Sequence, residues 1–167
     1  MDEKQIKNVL KKRDWLLASA KTLGISVLVD EEDVPFADMG YAPFIRANNN
    51  FYIYSSHLSS HIRALINGSE ARFLLIEDEE KSTNIWARVR LKFSADVLEL
   101  ARDDKHFSSL CNQIGQVHGP VMELIRNFKD FHLFEIRPRH GTLVTGFAQA
   151  FSVNGPTFEL TEHLRKS

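Results

Sequence analysis

Cysteine is almost missing from this chain of 167 residues, where Cys111 stands alone. A single thiol excludes an intrachain disulfide framework and any zinc cluster built on cysteines. It lies in "SSLCNQIGQV", whose helical spacing sets it among core positions, so it reads as buried and inert. Excess charge is also missing: 21 basic residues face 22 acidic ones, for a formal net charge of -1. A nucleic-acid binder shows a basic surplus or stripe, and the one basic cluster, "KNVLKKR" at 7–13, fits the polar face of an opening helix. No apolar run approaches the length of a membrane span, and "MDEKQIKNVLKKRDW" lacks the apolar region of a secretory signal. The expectation is a cytoplasmic, reduced protein with no nucleic-acid partner and no membrane insertion. Neither G-x-G-x-x-G nor G-x-x-x-x-G-K occurs, so no phosphate-cradling glycine loop is legible.

What is present suits a globular fold: 43% hydrophobic and 26% charged residues, including twelve phenylalanines. The length predicts one domain over residues 1–167, with no internal repeat or linker dividing it. A helix is expected over residues 2–16, followed by strands in "GISVLVD", "FADMGYAPFI" and "FYIYS", separated by "DEEDVP" and the Asn-rich turn "RANNN". In "SSHLSSHIRALING" the period switches: Leu58, Ile62 and Leu65 share a helical face that Gly68 ends. "ARFLLIED" and "IWARVRLKFSADVLEL" read as strands, the latter alternating Trp86, Arg88, Arg90 and Lys92 with Ala87, Val89, Leu91 and Phe93. Residues 103–127 read as helical with a break near "HGP", then "DFHLFEIRP" and "GTLVTGFAQAFSV" as two strands around the turn "RPRHG". Six or seven strands with helices at one side predict an α+β protein built around a small antiparallel barrel.

Several groups have chemical potential. His57 and His61, four apart on the expected helix, suit a metal or are two solvated histidines, since the glutamate of H-E-x-x-H is missing. Arg88 and Arg90 share a strand face with Trp86, which suits a carboxylate, phosphate or other anion, or is a solvent-facing stack. Asp130 opens an apolar strand, where aspartates commonly form turns. His163 stands in the charged segment "FELTEHLRKS", a tail prone to fraying.

"YAPF" (41–44), "SSHLSSHIRAL" (55–65), "LIEDE" (75–79), "ARVRLKF" (87–93), "DFHLFEI" (130–136) and "GFAQAF" (146–151) follow one another in the order found in the HugZ/HutZ haem-utilisation proteins, which the chain resembles from about residue 18 onward. That resemblance implies a split antiparallel β-barrel of the pyridoxamine-phosphate-oxidase-like, FMN-binding-like kind with peripheral helices and a haem-ligating carboxyl-terminal tail. It also implies a homodimer with haem at its interface. His163 is then the matching candidate for the iron's axial ligand, displaced by about one position, with Leu164 where relatives carry arginine. Asp130 would accept a hydrogen bond from the ligand histidine, Arg90 would reach the open side of the iron, and Arg88 matches with its role open. A carboxylate on the second ring nitrogen makes an imidazole ligand more basic, and an arginine opposite stabilises developing negative charge. Haem would be both cofactor and substrate, opened to a biliverdin-type product with release of iron, and electrons would come from an external donor. FMN is disfavoured because the turn offers Ser55, Ser56, Ser59 and Ser60, with His61 where flavin-binding relatives place a fixed cation. A flavoprotein oxidoreductase and a non-catalytic haem carrier are the alternatives.

Overall fold

The computed structural model describes residues 2–30 and 34–164. Its first element is helix α1, Glu3–Ser19, opened by a capping box in which the Asp2 side chain accepts from the Gln5 amide and the Gln5 side chain from the Asp2 amide. Strands β1 (Thr22–Val29), β2 (Phe36–Ala47) and β3 (Asn50–Ser56) follow, then helix α2 (Ser60–Ile66) and strands β4 (Ala71–Ile76) and β5 (Arg90–Leu100). Helices α3 (Phe107–His118) and α4 (Val121–Ile125) precede the long β6 (Phe131–Gly146), β7 (Gln149–Asn154) and β8 (Glu159–Leu164). All strand pairs are antiparallel, in the order β3-β2-β1-β4-β5-β6-β7-β8. An additional β3–β6 pairing closes the first six into a barrel. The α+β antiparallel barrel expected from the sequence is therefore the fold, with β7 and β8 as an extension. Among the described residues no helix is long and apolar enough to cross a membrane.

Alternation drives closure. Leu23, Ile25, Val27 and Val29 of β1 point inward, as do Leu91 and Phe93 of β5, and all are buried. The barrel interior is aromatic: Phe93 stacks on Phe51 at 5.3 Å and on Phe73 at 5.4 Å, with the Phe158 ring edge-on at 5.1 Å. Asn48 and Asn49, both at positive φ, make the β2–β3 hairpin turn. A second cluster packs α3 and α4 over Ile45, Tyr52, Tyr54 and Leu133, and Cys111 is buried within it, its thiol pushed up by desolvation. Helix α1 docks through Lys12 Nζ on the Thr145 carbonyl (2.7 Å) and Arg13 on that of Phe158 (3.0 Å).

Three local expectations change. "RPRHG" is not a turn: β6 runs straight through it, with Pro138 opposite Ala95 where a bulge shifts the β5 register after Phe93. A proline has no ladder N–H to donate, and a bulge is where a sheet tolerates that. The reversal comes later, at Phe147 and Ala148 (φ 55°). Trp86 lies in a short 3-10 turn, Ile85–Ala87, outside β5, so it does not share a strand face with Arg90. Helix α2 begins only at Ser60, which leaves Leu58 in the preceding turn and 77% exposed.

Candidate functional site

The β3–α2 turn and the first residues of β6 meet at one end of the barrel. There Ser56 Oγ donates to Asp130 Oδ2 at 2.5 Å, and the His57 amide donates to the Asp130 carbonyl at 2.8 Å. The Ser56 hydrogen bond leads the effects that hold the Asp130 carboxyl below the usual carboxylate range. Partial desolvation opposes it, and the nearby His57 and His132 add to it. Asp130 stands in the turn before β6, and its carboxylate accepts from the Ser56 hydroxyl. His57 Nδ1 lies 2.8 Å from His132 Nε2, and His132 Nδ1 lies 2.6 Å from Glu99 Oε1. Arg63 donates to the carbonyls of His57 and Leu58, both at 3.0 Å.

His57 and His61 part company because α2 starts after the first of them. The His61 ring lies directly over Gly40, where an added Cβ would come within 2.1 Å of it, and its Nδ1 is 3.9 Å from Asp38. Burial lowers the His61 pKa against the opposing pull of Asp38, while the Ser60 hydroxyl, at 2.5 Å, leads in holding Asp38 below its ordinary range. Among the described residues no group of three or more His, Cys, Asp and Glu converges on a metal position.

The two arginines of "ARVRL" differ. Arg88 is engaged within the chain, with Nε on the Glu77 carbonyl at 2.8 Å and a guanidinium nitrogen on Glu79 at 2.9 Å. Arg90 donates to the Arg88 carbonyl at 3.2 Å and sits in the cross-strand row Ile76, Arg90, Val144, Ala150 on the outer face of the sheet. Two residues on, Lys92 shares that face and lines a cleft of about 990 Å³ with Gly24, Ser26, Arg72, Leu74 and His140. Arg72 and Lys92 were not singled out from the sequence, since only the cross-strand register brings them to one groove.

His163 is held in a strand, not on a loose tail. It pairs with Phe151 of β7, its ring stacks on that phenylalanine at 4.7 Å (20° between planes), and Nε2 lies 3.0 Å from the Ala148 carbonyl. Its row, Leu91–Leu143–Phe151–His163, is the inner-facing neighbour of the Arg90 row. Asp130 precedes β6, whereas His163 neighbours its far end. Between Phe131 and Leu143 the strand covers roughly 40 Å of contour. Within one copy the structure does not bring His163, Arg90 and Asp130 together. Glu99 and His132 were missed by sequence reading, because His132 occurs within the apolar "DFHLFEI" and no spacing rule ties it to Glu99.

No protein-family model matches the sequence. Over 146 residues it is 31% identical to the haem oxygenase HutZ of Vibrio cholerae, covering 87% of this chain and 81% of that protein. The chain belongs to the HutZ family. A solved structure of Vibrio cholerae HutZ, described as a haem storage protein, matches with a TM-score of 0.71 and 27% identity over 81% of this chain and 93% of the other. Campylobacter jejuni ChuZ shares the fold at a TM-score of 0.77, 23% identical, covering all of this chain and 77% of its own. A pyridoxamine 5'-phosphate oxidase-like protein of Listeria innocua is more distant, at 0.56 and 12% identity over 83% of this chain and 99% of its own. The HutZ family's split barrel and the barrel observed here are therefore one fold.

Proposed function

We propose that this HutZ-family protein binds haem between two copies of itself and degrades it oxidatively, opening the macrocycle and releasing iron. The observation that carries the reading is the position of Asp130. Its carboxylate is oriented by Ser56 and kept ionised at one end of β6, where an acceptor of that kind suits an imidazole N–H. The chain's own His163 lies beside the opposite end of that strand, one strand removed from it across β7. An imidazole arriving at Asp130 from this sequence's carboxyl-terminal segment would have to come from a second copy. The outer sheet face supports the same reading. It carries an open cleft of about 990 Å³, at the upper end of the roughly 300–1,000 Å³ usual for ligand sites. Apolar walls with Arg72 and Lys92 at hand suit a flat apolar ring system bearing carboxylates. Met39 and Tyr41, exposed on the neighbouring face of β2, supply apolar surface that a second copy would cover.

When bound, haem supplies the iron that activates oxygen and the macrocycle that is opened. His163 would hold the iron by one ring nitrogen, and Asp130 of the other copy would accept from the second nitrogen and make the imidazole a stronger donor. Arg90, on the outer face and without a carboxylate partner among the described residues, would stabilise negative charge developing on the opposite side. Arg88, bound to Glu77 and Glu79, would hold the loop before β5 in place. The electrons come from an external donor. A flavin reading has less support, since His61 is packed on Gly40 where a fixed phosphate-binding cation would be needed, and Arg63 donates to the carbonyls of the same turn.

The storage description attached to the HutZ structure makes a non-catalytic haem carrier the second reading. Adding haem and a reductant under air separates the two. Loss of the Soret band with growth of a biliverdin-like absorbance and chelatable iron is the expected result. A stable Soret band over many reductant equivalents would leave carriage only.

A further inference from the structure

The outer face of the sheet is laid out in cross-strand rows, and three of its cations stand in three successive ones. Arg90 lies in the row Ile76–Arg90–Val144–Ala150. Lys92 lies in the next, Leu74–Lys92–Thr142–Ser152, which Gly24 extends on β1. Arg72 lies in the third, between Ser26 and Ser94. Neighbouring rows are two residues apart along a strand, so Lys92 and Arg72 stand roughly 7 and 13 Å from the Arg90 row, on the same side of it. Both are exposed and line the cleft of about 990 Å³, whose floor between them is made of the short side chains of Gly24, Thr142 and Ser152. Among the described residues neither has a carboxylate partner, and the Arg72 guanidinium donates to the Ala71 carbonyl at 3.4 Å. Past the Arg90 row the character reverses. The turn before β5 exposes Ile85 and Trp86, the latter 83%, and the hairpin after β6 exposes Phe147.

We infer that Arg72 and Lys92 each take one propionate carboxylate of haem, and so fix the ring within its own plane, propionate edge toward Ser94 and vinyl edge toward Trp86 and Phe147. The inference rests on the haem-binding reading and adds which way round the ring lies and what selects it. Arg72 and Lys92 are diagonal neighbours on paired strands, with backbones roughly 7–8 Å apart. That spacing suits two carboxylates on separate arms, whereas a single phosphate is better served by convergent amides at a helix start. An arginine fork can hold one carboxylate by two hydrogen bonds, and a lysine ammonium holds the other as a point charge. The acid of the Lys92 row, Glu162, is three strands away on β8, so the two cations are left for a ligand. The reverse orientation would cover both cations with vinyl and methyl groups and leave two charges desolvated without partners. In the stated orientation the Arg90 row falls beneath the middle of the macrocycle, where its guanidinium is needed. In-plane orientation decides which bridging carbon meets oxygen beside Arg90, so Arg72 and Lys92 also determine the product isomer.

Absorbance titration with haem and with haem dimethyl ester reads the clamp, because the ester keeps the iron and the ring but has no carboxylates. The unmodified protein should bind haem at least thirtyfold more tightly than the ester. A double variant, Arg72→Gln with Lys92→Gln, should cut that ratio below threefold while its affinity for the ester stays within threefold. Lys92→Arg, which keeps the charge, should hold the ratio within threefold of the unmodified value. With reductant and air, chromatography should find one biliverdin isomer from the unmodified protein and a mixture from the double variant. An undiminished ratio in the double variant, whether or not both affinities fall, would overturn the clamp. A single unchanged isomer would overturn its orienting role, and loss of FMN binding with the haem ratio intact would assign the two cations to a phosphate. If the unmodified protein binds haem without degrading it, the degradation reading fails and the affinity ratios alone decide the clamp. If it binds no haem, both fall.

Discussion

At the scale of single residues, the chemistry lies in what fixes each side chain. Asp130 is a defined acceptor because Ser56 Oγ donates to it. Ser56→Ala should therefore move the Asp130 carboxyl back up toward about 3.9, the ordinary value, followed by carbon NMR titration of the side chain. Arg90 has no carboxylate partner to lose among the described residues, so Arg90→Ala should leave haem affinity within about tenfold, roughly 1.4 kcal/mol. It should slow degradation by about a hundredfold, the size of effect seen when one stabilising donor is removed. Absorbance titration and single-turnover decay measure the two separately. Glu135 is a structural carboxylate. Burial alone would push its pKa up, but hydrogen bonds from Arg137, Tyr52 and Asn50 together hold it below the ordinary value. A depressed folded value means that its contribution is present above an unfolded pKa near about 4.3 and is lost as pH falls through the folded value. Urea midpoints of Glu135→Gln should thus fall less steeply than those of the unmodified protein on acidification from about pH 5 to 3.

At the scale of elements, β6 is the member on which the rest depends, since it pairs with β3, β5 and β7. It passes β5 so closely at Gly141 that an added Cβ would lie 2.2 Å from the Lys92 carbonyl oxygen and 2.9 Å from Phe93 Cβ. Backbone cannot step aside as a flexible side chain can, so Gly141→Ala should cost about 1–3 kcal/mol, the range for overpacking. Urea denaturation with an unchanged m-value would record it. The element types were mostly legible. "RANNN" announced its hairpin, and "HGP" the break between α3 and α4, because backbone preference acts locally at those points. "RPRHG" misled for a related reason: its Pro and Gly are turn residues by composition, but here they serve a bulge and a close crossing, both defined by β5. The charged tail became β8 because β7 offers it an edge and Phe151 offers His163 a ring to stack on.

At the scale of the whole molecule, the proposed site is incomplete in one copy. Sedimentation at micromolar concentration should show a dimer, and a monomer would remove the basis for a shared haem site. A specific interface of that kind buries more than about 1,000 Å², and the exposed Met39 and Tyr41 beside the outer cleft are its candidate centre. His163→Ala should abolish a histidine-ligated haem spectrum in the dimer. A persistent five-coordinate histidine spectrum would move the ligand elsewhere. The sequence by itself determined the barrel, through period-2 alternation and a phenylalanine-rich interior, and it contained the ordered motifs of the HutZ family. Its one cysteine rules out a zinc cluster built on cysteines, and it contains neither of the two phosphate-cradling glycine signatures. Only the tertiary structure decided which of those motifs meet. It parted His57 from His61, engaged Arg88 but left Arg90 on the outer face, set His163 and Asp130 toward opposite ends of β6, and assembled Glu99, His132 and His57 from three elements. Periodicity reports which side of a strand a residue faces, because that depends on near neighbours alone. Which strands lie side by side, and in what register, depends on closure of the whole barrel.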